Sequence, residues 1–250
     1  MPRYVVEVMY DGTQFHGSQV QGELPTVQLA VNTALSTLLR VPVATTGASR
    51  TDEGVHALCN YYMWDMDAPL LPDVVYKCNA ILPQALAVRG LYVAANPEFN
   101  PRFDAVRRRY RYRIYNKKNP FLVHQAMYYP YPLHLDVLRE TAAIIKEYTQ
   151  FESFAKRNAQ NFTFNCSIYR SEWEERDGEL NYVVEANRFL RGMVRGLVCT
   201  QMNISRKGAP EDMRRILDAR DCTKAFFNVP GHGLYLEEIT YQEGAMVRIQ

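Results

Sequence analysis

A chain of 250 residues has room for one large domain or two small ones, and 47% hydrophobic residues let it bury a sizeable core. No apolar run is long enough to span a bilayer, and Met1–Glu7 lacks the charged-then-apolar layout of a secretory leader, so the expectation is a cytoplasmic protein. A net charge of +2 does not announce a nucleic-acid binder, and five scattered cysteines (Cys59, Cys78, Cys166, Cys199, Cys222) with no Cys-x-x-Cys argue against a disulfide framework and a metal site alike.

Tyr4–Tyr10, rich in Val and Tyr, reads as a strand, and Tyr10-Asp11-Gly12-Thr13 as a turn. Thr26 is the expected N-cap of a helix whose apolar stripe is Val27, Val31, Ala34, Leu35 and Leu38. Pro42–Thr46 and Ala57–Met63 read as strands flanking residues 47–57. A short helix is expected over Asp73–Asn79 and a strand over Ala87–Ala94. Arg107–Tyr115 then begins a second stretch of similar grammar. Leu135–Glu147 fits a helix with Leu138, Ala142 and Ile145 on one stripe. Cys166–Trp173 and Leu180–Ala186 fit a hairpin around Asp177-Gly178. Helices are expected at Arg188–Thr200 and Glu211–Ala219, and a last strand at Leu234–Thr240. Asn158–Asn165 is polar and unpatterned and reads as a mobile loop. The mixture predicts an α+β fold with a largely antiparallel sheet, in two comparable parts: an N-terminal half, 1–105, and a C-terminal half, 106–250.

Three stretches carry chemistry. In Gly47-Ala48-Ser49-Arg50-Thr51-Asp52-Glu53-Gly54-Val55-His56-Ala57 an arginine, a hydroxyl and two carboxylates sit on a loop between strands, where proteins place function; a polar turn with a capping Asp is the structural alternative. Asp52 and Glu53 are adjacent, which ill suits a glycosidase pair facing each other across one bond. A lone Asp beside arginines stays ionised and oriented, as a nucleophile or base requires. The second stretch, Arg102–Lys118, holds eight basic residues and one acid, a local footprint for phosphates. Strand alternation puts Arg109, Arg111 and Arg113 on one face and Tyr110, Tyr112 and Ile114 on the other. This is either a solvated charged side of a half-buried strand or the floor of an RNA groove with an aromatic to stack on a base. In the third, helical periodicity over Arg188–Thr200 gives a buried stripe of Phe189, Leu190, Met193, Val194, Leu197 and Val198. Arg188, Arg191 and Arg195 lie opposite, beside Gly192, Gly196 and Cys199, where small residues would admit another backbone or a ligand.

Seven segments in chain order resemble the TruA family of tRNA pseudouridine synthases. Arg50-Thr51-Asp52-Glu53-Gly54-Val55-His56-Ala57 matches its active-site motif. Tyr10–Gln19, Thr26-Val27-Gln28, Asn79–Pro83, Arg108–Tyr112, Phe189–Arg195 and Gly233–Leu236 match the others. Ser18, Ser49 and Cys199 depart from the family's common Trp, Gly and Gly, and none of these changes removes a reactive group. The resemblance implies the pseudouridine synthase fold, with two similar α/β halves sharing a largely antiparallel sheet, helices packed on it and an RNA-binding cleft between the halves. It implies that uridine in the anticodon stem-loop of tRNA, at positions 38, 39 and 40, is isomerised to pseudouridine without a cofactor or metal by a homodimer. In that picture Asp52 is the essential carboxylate and Arg195 pairs with it. Arg50 holds the flipped-out nucleotide, Tyr110 stacks on the target base and assists proton loss, and Leu234 lines the pocket. Against it stand a non-catalytic tRNA-binding protein, a related synthase acting at other RNA positions, and a hydrolase that releases uracil.

Overall fold

The computed structural model describes residues 1–67, 72–156 and 163–250. Along the chain the strands are β1 (Arg3–Tyr10), β2 (Thr46–Gly47), β3 (His56–Asp65), β4 (Leu86–Ala94), β5 (Arg107–Tyr115), β6 (Met127–Tyr128), β7 (Ile168–Arg176), β8 (Glu179–Ala186), β9 (Leu234–Thr240) and β10 (Met246–Arg248). The helices are α1 (Val27–Leu39), α2 (Val74–Ile81), α3 (Leu135–Ile145), α4 (Met193–Lys207) and α5 (Glu211–Ala219). The α+β class and the predominance of antiparallel pairing are as expected. Two compact units emerge, Met1–Val106 with Leu236–Gln250, and Arg107–Tyr235.

In the first unit the strands run β10-β4-β1-β3, all antiparallel, with β2 beside β3. Val5, Val6 and Val8 of β1 are fully buried, as are Val27 and Leu91. Thr26 caps α1 by accepting the Leu29 N–H at 3.3 Å, and Val27, Val31, Ala34 and Leu35 of its stripe are buried while Leu38 is half-buried. The expected strand at Pro42–Thr46 is not formed except at Thr46. Its backbone bonds go to side chains of α1 instead: Val43 N–H donates to Ser36 Oγ at 2.8 Å and Thr45 N–H to Asn32 Oδ1 at 3.1 Å. A backbone whose donors are already satisfied by a helix has no drive to join a ladder. Residues 236–250 return here, β10 pairing with β4 and Ile249 N–H donating to Leu91 O at 2.8 Å.

In the second unit β5, β8 and β7 form an antiparallel sheet with β6 parallel to β5. The β7–β8 turn uses Asp177 and Gly178 at φ 53° and 78°, the paired positive angles of a two-residue hairpin. Leu138, Ala142 and Ile145 of α3 are buried as the stripe requires. Gln201 of α4 ties the core together, its Oε1 accepting from Trp173 Nε1 at 2.9 Å. The helix expected at Arg188–Thr200 instead runs Met193–Lys207. Gly192 takes φ 74° at its N-cap, a left-handed conformation that starts the helix afresh and leaves residues 188–191 outside it. Of the expected loop at Asn158–Asn165, residues 158–162 lie outside the described residues, and Asn165 forms a bridge to Gln150.

Candidate functional site

The Asp52 loop lies in the first unit between β2 and β3, with Asp52 half-buried and Glu53 and Arg50 exposed. Buried side chains from three other segments hold it. Asn60 of β3 accepts the Ser49 N–H at 3.2 Å and donates to Ser49 O at 3.0 Å. The same amide donates to Tyr10 OH at 3.2 Å, and Tyr10 OH lies 2.9 Å from Thr51 Oγ1. Ser18 Oγ accepts the Thr51 N–H at 2.8 Å, while Ser18 N–H donates to Thr51 O at 3.0 Å. After the loop, Val55 N–H donates back to Asp52 O at 3.2 Å. Burial pushes the Tyr10 phenol up to about 12, which keeps it neutral in this network.

The opening segment, a mere loop on sequence grounds, is the loop's support. A Cβ on Gly12 would stand 2.0 Å from Val55 O, so only glycine lets the two backbones meet there. Ser18, noted only as a departure, and Asn60, not singled out at all, proved to be the residues that grip the loop. An apolar strand carrying one buried amide is the only sequence signal for Asn60.

The other candidates lie in the second unit. Tyr110 of β5 is buried, its ring edge-on to Phe189 at 5.2 Å. Arg195, in the first turn of α4, donates to Val229 O through Nε at 2.9 Å and Nη2 at 2.6 Å. Leu234 opens β9 and is buried. Tyr112 links these: its hydroxyl donates to Pro230 O at 2.9 Å, its ring blocks any Cβ at Gly233, and Arg195 is near enough to favour its ionised form although burial raises its pKa far more. Arg195 and the Val229–Leu234 segment are thus brought together around Tyr112.

Two expectations about cationic faces need correcting. Arg188, Arg191 and Arg195 do not share a helix face, because only Arg195 belongs to α4. The space beside Gly196 is filled by aromatic rings, a Cβ there standing 2.7 Å from Phe227 and 3.3 Å from Phe154. The alternation on β5 is as expected, with half-buried arginines at 109, 111 and 113 and buried residues at 110, 112 and 114. Its flanking arginines, however, already meet carboxylates. Arg113 forms a bidentate pair with Glu179 at 2.8 and 2.7 Å, and Arg107 pairs with Glu185 at 2.6 Å. The face is therefore less cationic than its strand suggests.

Among the described residues no cluster of His, Cys, Asp and Glu with metal-binding geometry occurs, and no helix is long and apolar enough to cross a membrane.

Against known proteins, a family model described as tRNA pseudouridine synthase matches residues 148–242. The chain is 37% identical over 248 residues to a tRNA pseudouridine synthase A of Parabacteroides distasonis, covering 97% of each. It is 37% identical over 249 residues to the protein of that name from Pseudothermotoga lettingae, covering 96% of this chain and 100% of that one. Over 246 residues it is 35% identical to the one from Bacteroides fragilis, with 96% and 97% covered.

Proposed function

The chain belongs to the tRNA pseudouridine synthase A family, whose members are isomerases acting on tRNA, and on that premise we propose that Asp52 is its essential carboxylate. The reaction detaches uracil by breaking the N1–C1′ bond, turns the base, and joins C5 to C1′. N1 ends protonated and the C5 proton leaves. Nothing is oxidised and no group is lost, so the chemistry asks for a positioned carboxylate and a held base rather than a redox cofactor.

The observation that carries the reading is the way the Asp52 loop is built. Its backbone is gripped by buried Ser18 and Asn60, and buried Tyr10 holds the Thr51 hydroxyl, while Asp52 stays half-buried and Arg50 exposed. A structural turn needs no such support, whereas a reacting group held to within a fraction of an ångström does. Asp52 attacks the sugar, attacks the base, or removes a sugar proton; all three routes use an ionised carboxylate at one place. Tyr110 stacks on the target base, Arg50 contacts the flipped nucleotide, Arg195 orients the charged groups of the reaction and Leu234 lines the base pocket. Extruding the base costs about a few kcal/mol, which phosphate contacts from basic residues of Arg102–Lys118 offset. In the finer reading the uridines lie at positions 38, 39 and 40 of the anticodon stem-loop, and the enzyme works as a homodimer in the cytoplasm.

Unmodified tRNA carrying tritium at uracil C5 tests this. The wild type releases label and Asp52→Asn does not, while both bind tRNA, and the product maps to the anticodon arm. Release by Asp52→Asn would overturn the role of Asp52. Product elsewhere would point to a synthase of other RNA positions, free uracil to a hydrolase, and binding without release by the wild type to a non-catalytic protein.

A further inference from the structure

Next to Asp52 in the chain, the loop backbone is held at Thr51 by Ser18, as it is held at Ser49 by Asn60. Ser18 takes both backbone polar groups of Thr51: its Oγ accepts the N–H at 2.8 Å and its own N–H donates to the C=O at 3.0 Å. The C=O of Thr51 belongs to the peptide plane that bears the Asp52 nitrogen. Fixing the planes on both sides of Thr51 therefore fixes the direction in which the chain enters Asp52, leaving that residue's own torsions to aim the carboxylate.

Ser18 is itself anchored. It is 2% exposed, and its carbonyl accepts from Gln28 N–H at 3.0 Å and from Tyr62 OH at 3.2 Å. Gly17 precedes it at φ 86°, where an added Cβ would stand 3.0 Å from Thr51 O. The chain from the end of β1 to α1 is thus drawn tight against the Asp52 loop, and the contact is made by a side chain able to accept an N–H. An indole is a donor only, so this use of position 18 belongs to the serine of this chain and not to the tryptophan common there in the family.

We propose that Ser18 is a positioning residue for the reaction, setting the place of the Asp52 carboxylate through the Thr51 amide. The proposal rests on the reading of Asp52 as the essential carboxylate. Replacing Ser18 by Ala keeps the bond to Thr51 O but leaves the buried Thr51 N–H without its acceptor. The peptide then turns toward another acceptor and carries Asp52 with it. Binding of tRNA is made by many residues and is unaffected. The signature is a loss in kcat without a matching rise in KM.

The test compares the wild type with Ser18→Ala, Ser18→Thr and Asp52→Asn in steady-state tritium release from C5-labelled tRNA, together with hydrogen exchange of the Thr51 amide. Ser18→Ala is expected to lower kcat about 10- to 100-fold, the scale of a sub-ångström to 1 Å misplacement, with KM within about twofold. Its Thr51 amide exchanges faster, and Ser18→Thr, which keeps the oxygen, restores most of both. Should Ser18→Ala fail to fold, Tyr62→Phe removes one of the two bonds to the Ser18 carbonyl without touching its side chain, and kcat is expected to fall with KM unchanged. An inert Asp52→Asn beside a Ser18→Ala or Tyr62→Phe of normal kcat overturns the role of Ser18 alone. So does a kcat loss with unchanged Thr51 exchange. An active Asp52→Asn overturns the reading beneath it.

Discussion

Two turns that both carry candidate site residues are built on opposite principles. The Asp52 loop owes its shape to side chains brought from afar. Ser18, Asn60 and Tyr10 come from segments 33, 11 and 41 residues away from the positions they bond, counted as Ser18 to Thr51, Asn60 to Ser49 and Tyr10 to Thr51. The turn before Arg195 owes its shape mostly to its own backbone, with one bond from a distant segment. Gly192 at φ 74° sets the first residue of α4, Met193 N–H donates to Leu190 O at 3.1 Å, and Lys156 N–H reaches Arg191 O at 3.2 Å. The first is loosened by cutting buried polar bonds of side chains, the second chiefly by changing one backbone angle. Positional accuracy can come from either source, but each fails under a different kind of substitution.

The largest expected effect separates chemistry from support. Asp52→Asn should reduce tritium release by about a thousandfold or more, while thermal unfolding shifts little, since the loop's bonds to Ser18 and Asn60 do not involve that side chain. A melting temperature that collapses along with activity would mean that Asp52 is part of the scaffold.

Alkaline pH attacks the first turn through its hydroxyls. Burial raises Tyr10 to about 12 and Tyr62, whose hydroxyl donates to Ser18 O, upward as well. A phenol whose pKa is raised on folding contributes stability that is fully present below its unfolded value of about 10 and is lost as pH rises through the folded one. Unfolding free energy measured by urea titration should therefore fall between about pH 10 and pH 12, and in Tyr10→Phe it should fall less steeply. A flat profile would show that these hydroxyls are not sealed from water.

Gly192→Ala attacks the second turn. Its nearest neighbours to an added Cβ are 3.8 and 3.9 Å away, so the cost is conformational and not steric. About 1–2 kcal/mol of stability should be lost, and Gly192→Asn should recover part of it because Asn tolerates the left-handed region. Equal loss in both variants would contradict a purely local origin. The smallest effect is expected of Tyr10→Phe at neutral pH. Removing one of several bonds at Asn60 and Thr51 should cost about 1 kcal/mol in denaturant titration.

The same contrast explains what was legible in the sequence. Local signals read well: Thr26 as an N-cap, the Asp177-Gly178 hairpin, the alternation of Arg109–Ile114 and the stripe of α3 all depend on residues close in the chain. Periodicity misled at Arg188–Thr200, because apolar spacing continues smoothly through Gly192 while the backbone does not. Composition misled at Pro42–Thr46, because a β-branched run says nothing about Asn32 and Ser36 waiting on α1 to take its N–H groups. At the candidate site the motif that carries Asp52 was legible in the sequence and the support of its loop was not. Nothing in an isolated serine or asparagine says which distant amide it will meet, and nothing in a run of arginines says that Glu179 and Glu185 lie across the ladder.

The return of residues 236–250 to the first unit has a consequence for biogenesis. On the ribosome the whole of Arg107–Tyr235 is made before β10 exists, so β4 must wait with one hydrogen-bonding edge open. An open edge is a template for other chains, and a nascent chain arrested between the two units would expose it for as long as the pause lasts.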